Sequence, residues 1–156
     1  SLYGDFYIII FKHTNNNLIH LAFSIGKWKN NEAILTSLSS LGSINSTLDN
    51  LLQENKDDLQ KIFKKININN FGIVVFINHE QETNSLLSRF KKIKSTILKG
   101  KSPTTYKKMD TKDFGIGAQI LHKLGAHKLN LMTNSKNLKR VGLTGYGIEI
   151  IKTTKY

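Results

Sequence analysis

The stretch whose residue types could most directly do chemistry is Asp113-Phe114-Gly115-Ile116-Gly117. Asp-Phe-Gly is the tripeptide with which protein kinases hold magnesium, and Gly-x-Gly opens a dinucleotide-binding turn. Both need surroundings that can be checked. A kinase requires a Gly-rich hairpin followed by a strand lysine, a His-Arg-Asp loop and two lobes, and the 156 residues hold none of these. A dinucleotide turn requires a third Gly or Ala where Ile120 stands, and a strand running into it. What is left is a helix capped by Asp113, with Gly115 and Gly117 letting it lie close to neighbouring backbone.

The other reactive groups are sparse. The chain has no cysteine, which excludes disulfides, thiolate catalysis and any cysteine-held metal. His13, His20, His79, His122 and His127 are scattered; only His122 and His127 come close to a pair, and they straddle a helix end, so no zinc site is expected. Net charge of +12 invites a nucleic-acid partner. Composition weighs against it: of the 23 basic residues 21 are Lys and only Arg89 and Arg140 offer a guanidinium fork, and the lysines spread over the whole chain. Trp28, between Lys27 and Lys29, reads as a packing residue rather than a base-stacking platform.

Tyr3 to Ile10 and Leu18 to Ile25 flank Asn15-Asn16-Asn17 as a β-hairpin, and Gly26 to Glu32 is a polar connection. A short strand near Ala33 to Leu38 precedes a helix. Its apolar face is Leu48, Leu51, Leu52, Leu59, Ile62, Phe63 and Ile66, with Ser46 and Asp49 resembling a capping box and Asn67 to Asn70 ending it. Phe71 to Ile77 is continuously apolar, as a strand buried on both faces must be. Leu86 to Leu98 has helical spacing, and Lys99 to Met109, with Pro103, is loop-like. A helix follows with Ile116, Ile120, Leu121 and Leu124 inside and Gly125 past its end. Leu129 and Leu131 alternate as a strand, Thr133 to Arg140 is polar, and Tyr146 to Ile151 closes as a strand. The pattern predicts one α+β domain over residues 1–156, a mixed sheet with flanking helices. No apolar run reaches the roughly 20 residues of a membrane helix, so no membrane association is expected. A first residue of Ser1 rather than Met predicts a piece of a longer chain.

Asp113 to Ile150, DFGIGAQILHKLGAHKLNLMTNSKNLKRVGLTGYGIEI, resembles the C-terminal part of the GTP cyclohydrolase II family. The likeness lies in the helix with its Leu-Gly end, the leucine-rich strand leading into Thr-Asn, and the Gly-Leu-x-Gly-Tyr-Gly hairpin before the last strand. SLYGDF at the start and FGIVVF in the middle extend a weaker resemblance over nearly the whole chain.

The resemblance implies a zinc-held water attacking C8 of guanine, with zinc and magnesium as the family's cofactors. The family's three zinc cysteines fall near Gly42, Gln53 and Asn55, so no cofactor is expected here. Where the family carries Arg-Gln-Glu-Gly-Arg, this chain has Asn78-His79-Glu80-Gln81-Glu82, keeping the acid at Glu80 and losing both arginines that suit a triphosphate, which weighs against GTP binding. Asp110 matches the family's proton acceptor, and Lys112 its arginine proposed to attack the α-phosphorus. Thr133 and, approximately, Lys139 match nucleotide contacts. The implied protein is an inactive cytoplasmic, bacterial riboflavin-biosynthesis domain. Such domains sit behind 3,4-dihydroxy-2-butanone 4-phosphate synthase in fused chains, and this one would dimerise and support or regulate its neighbour. The alternatives are an altered enzyme acting on GTP through Asp110, Lys112 and Thr133, and a basic nucleic-acid module.

Overall fold

The computed structural model describes residues 4–15, 18–29, 31–41, 57–78, 111–134 and 141–156. They build one six-stranded mixed sheet from β1 (Tyr7–Lys12), β2 (Ile19–Ile25), β3 (Ala33–Leu41), β4 (Gly72–Asn78), β5 (Lys128–Met132) and β6 (Glu149–Thr154). The helices are α1 (Asp57–Asn69), α2 (Thr111–Lys123) and the single turn α3 (Val141–Thr144). Strand order is β1-β2-β4-β3-β5-β6; β1/β2 and β2/β4 are antiparallel and the remaining pairs parallel. This is an α+β domain with helices flanking a mixed sheet. No helix among the described residues is long and apolar enough to cross a membrane.

Alternation along the strands divides the core in two. Leu21, Phe23, Leu35, Val74 and Phe76 point to one face, where α1 covers them with Leu59, Ile62, Phe63 and Ile66. Ala22, Ile34, Ile73, Val75 and Ile77 point to the other, covered by Ala118, Ile120 and Leu121 of α2, and Trp28 packs against the same cluster. The three- and four-residue spacing of each helix's apolar side chains is what makes one stripe available for this. Burying each large apolar side chain contributes about 1.5–3 kcal/mol. β4 is buried at every position, as its unbroken apolar run requires.

The hairpin, the polar connection, the end of α1 and the Gly125 stop all agree with the sequence reading. Asn70 turns left-handed at φ 60 to leave α1, and Gly125 does so at φ 73 to leave α2. Four expectations differ. β1 begins at Tyr7, and β3 runs on to Leu41 through Ser39 and Ser40, because the interior of a parallel sheet accepts small hydroxyl side chains. α2 begins at Thr111, so Asp113 is not the cap but lies in the first turn. The last strand is Glu149–Thr154, since Tyr146 N–H donates to Leu143 C=O and Gly147 N–H to Thr144 C=O, both at 3.2 Å, and hold 144–147 as a turn. The Ser46/Asp49 box, the first half of the long helix, the helix at 86–98, the Pro103 loop and the stretch 135–140 lie outside the described residues.

Gly72 and Gly117 are where small size matters. A Cβ on Gly72 would lie 2.7 Å from the Leu35 carbonyl oxygen, and one on Gly117 would lie 3.2 Å from Leu38 Cδ2 and 3.4 Å from Ile77 Cδ1. Gly117 therefore lets α2 settle on sheet side chains rather than on backbone.

Candidate functional site

The parallel ladders bring the C-terminal ends of four strands to one edge. Leu41 pairs with Asn78, Ser37 with Met132, and Met132 with Thr154. α2 enters β5 through the Gly125 turn and so runs antiparallel to it, which carries the 111–113 end of α2 to the same edge. Gly117, midway along α2, sits over Leu38 and Ile77, close to where β3 and β4 finish. Antiparallel pairing of β1 with β2 and of β2 with β4 adds the end of β1 and the start of β2. In open sheets with parallel strands this edge, outside the carboxyl ends, is where ligand groups gather.

The polar groups there are unusually buried. His20 and Asn78 are 2% and 4% exposed, and the Asn78 N–H donates to His20 Nδ1 at 3.1 Å. Accepting at Nδ1 puts the proton of a neutral imidazole on Nε2. The His13 ring stands edge-on to it, centroids 6.2 Å apart. The Ser40 hydroxyl is buried with no hydrogen-bond partner among the described residues. Asp113, 1% exposed in the first turn of α2, puts a carboxylate by the unsatisfied N–H groups and positive end of the helix. At the far end of the edge Thr133 N–H donates to Thr154 C=O at 2.9 Å, and the Thr154 hydroxyl donates to Asn130 Oδ1 at 2.6 Å.

Of the residues matched to family roles, Lys112 and Thr133 lie at this edge. Lys112 is exposed on the first turn of α2, where a cation is opposed by the helix dipole rather than favoured by it. Thr133 follows the last residue of β5 and is half-buried. Asp110, Glu80 and Lys139 lie outside the described residues, as do Gly42, Gln53 and Asn55. His122 and His127 do approach, with ring centroids 5.0 Å apart, but at the opposite end of α2. Among the described residues no three His, Asp or Glu side chains gather as metal ligands would.

Comparison with known proteins decides the family: the family model described as GTP cyclohydrolase II matches residues 1–155. The chain belongs to the GTP cyclohydrolase II family. It is 32% identical over 157 residues to the riboflavin biosynthesis protein RibBA of Porphyromonas gingivalis, with 96% of this chain and 38% of that protein covered. RibBA of Parabacteroides distasonis is 30% identical over 154 residues, with the same 96% and 38% covered. RibBA of Aquifex aeolicus is 30% identical over 158 residues, again at 96% and 38%. The chain thus spans little more than a third of the length of these relatives.

Sequence reasoning missed His20, Ser40 and the Asn78 N–H. His20 is the second residue of β2, at the amino end of that strand, and Ser40 is the next-to-last residue of β3. For Ser40 and Asn78 a polar residue at the carboxyl end of a central strand is the signal that was available; His20 carries no such signal.

Proposed function

We propose that this chain is a GTP cyclohydrolase II domain that keeps the family's fold and no longer catalyses opening of the guanine imidazole ring. One observation carries the reading: the chain has no cysteine, at an edge whose described side chains are hydroxyls, an amide, imidazole, one lysine and one buried carboxylate. A zinc that lowers the pKa of a bound water needs protein ligands that fix it and leave one position open. Gly42 has no donor, and Gln53 and Asn55 have amides, which are poor zinc ligands. The donor set does not fit the metal, and no step is derived through it. Loss of both arginines flanking Glu80 acts in the same direction, since Glu82 would repel a triphosphate.

The role that remains is structural or regulatory: a dimerising domain that supports a 3,4-dihydroxy-2-butanone 4-phosphate synthase joined ahead of it in the cytoplasm. The longer RibBA relatives, of which this chain matches 38%, support that arrangement. Formate release from GTP with added zinc tests the loss of catalysis; release above blank rejects it.

The buried polar groups His20, Ser40 and Asp113 favour one second reading, a nucleotide still held through Asp110, Lys112 and Thr133, with Glu80 and Lys139 beside them. Calorimetric titration with GTP and GDP separates the two. Micromolar affinity, weakened about 10- to 150-fold by Lys112→Ala, supports retained binding, since loss of one charge-assisted hydrogen bond costs about 1.5–3 kcal/mol.

A further inference from the structure

We propose that β1 pairs antiparallel with β1 of a second copy of this chain, joining two sheets into one. The proposal rests on the dimerising role stated above and gives it a surface and a register.

Six large apolar side chains are exposed among the described residues, and three of them, Tyr7 at 72%, Ile8 at 57% and Ile10 at 66%, lie on β1 alone. The others are apart from one another, Ile68 on α1, Tyr146 in the turn after α3 and Ile151 on β6. Among the described residues β1 is an edge strand, with no strand paired to one side of its backbone. Edges are ordinarily protected by charge. β6, the opposite edge, carries Glu149 and Lys152 within its span, whereas β1 carries only Lys12, at its last position.

A two-fold axis joining two edges into one continuous sheet opposes residues that share a face, so the axis must pass through a residue pair. Centred on Ile8, it opposes Asp5 to Phe11 and Gly4 to Lys12. Centred on Ile9, it opposes Ile8 to Ile10 on the α1 face and Tyr7 to Phe11 on the α2 face, and Asp5 then faces His13. The second register opposes apolar to apolar from Tyr7 to Phe11 and leaves Phe6 opposite Lys12. It also gives the exposed Asp5 carboxylate a donor, because His13 Nδ1 already accepts the Asn15 N–H at 3.1 Å and its proton sits on Nε2. Charge, through the Asp5 and His13 pairing, therefore selects a second copy with Ile9 on the axis.

The absence of native cysteine makes the test direct. In the full chain, Ile9→Cys is expected to form a disulfide-linked dimer under mild oxidation, while Ile8→Cys alone does not, its partner sulfur lying on a diagonal about 7–8 Å away. Sedimentation equilibrium supplies the second measurement. The double variant Ile8→Lys, Ile10→Lys alters exposed positions only and should keep its circular dichroism while self-association weakens roughly 100-fold or more, because like charges then meet at the centre. A native chain that stays monomeric overturns both the surface and the dimerising role. A dimer indifferent to the double variant, or crosslinking through Ile8→Cys rather than Ile9→Cys, overturns the surface or its register and leaves the dimer standing.

Discussion

The backbone N–H of Asn78, the last residue of β4, donates to Nδ1 of His20, 58 residues earlier, and both groups are buried. The imidazole thus closes the β2/β4 ladder at the point where the chain leaves the sheet toward Glu80. Removing the ring leaves a buried donor unsatisfied, which costs about 1–3 kcal/mol beyond the lost packing. His20→Ala is expected to lower the urea midpoint accordingly. His20→Asn, whose Oδ1 can stand where Nδ1 does, should recover much of the loss.

Two glycines of similar appearance should respond in opposite directions. Gly115 sits inside α2 with nothing nearer to an added Cβ than the Tyr146 ring at 3.8 Å, so Gly115→Ala gains helix propensity of about 0.5–1 kcal/mol. Gly72→Ala would drive a methyl to 2.7 Å from the Leu35 carbonyl and should destabilise by about 1–3 kcal/mol. Thermal melts of the two variants give the signs.

Phe63 anchors α1 to the sheet, its ring centroid 5.1 Å from Phe6, 5.5 Å from Phe23 and 6.4 Å from Phe76. Phe63→Ala empties the centre of that cluster and should cost about 3–5 kcal/mol in denaturant titration.

Burial first, and the Asp58 carboxylate second, raise the pKa of the Tyr156 hydroxyl above its ordinary value. The folded chain therefore holds this proton to higher pH than the unfolded chain does. The resulting stability is complete below about pH 10 and is lost as pH rises through the folded-state value. Tyr156→Phe should flatten this alkaline decline in midpoints measured from pH 9 upward.

Much of the fold is legible in the residues because local rules and burial agree. Leu59, Ile62, Phe63 and Ile66 fix the phase of α1, Phe71 to Ile77 announces a doubly covered strand, and Asn15-Asn16-Asn17 marks the hairpin. The misreadings fall where tertiary context overrides local preference. Ser39 and Ser40 look like a loop until β4 lies beside them, and Asp113 looks like a cap until the helix starts two residues earlier, at Thr111. The site is less legible for a related reason. Lys112 and Thr133 entered through resemblance, whereas His20 meets Asn78 only through a long-range ladder that no spacing along the chain encodes.

The position of β3 between β4 and β5 has a kinetic consequence. Of the five ladders among the described residues only β1/β2 joins strands separated by a short turn; β3 acquires its neighbours after α1 and then α2 have been traversed. Loop-closure entropy must be met before those contacts reward it, so refolding should be slow, in the millisecond-to-second range of non-local topologies, with the hairpin and α1 ordered early and the central ladder zipping last.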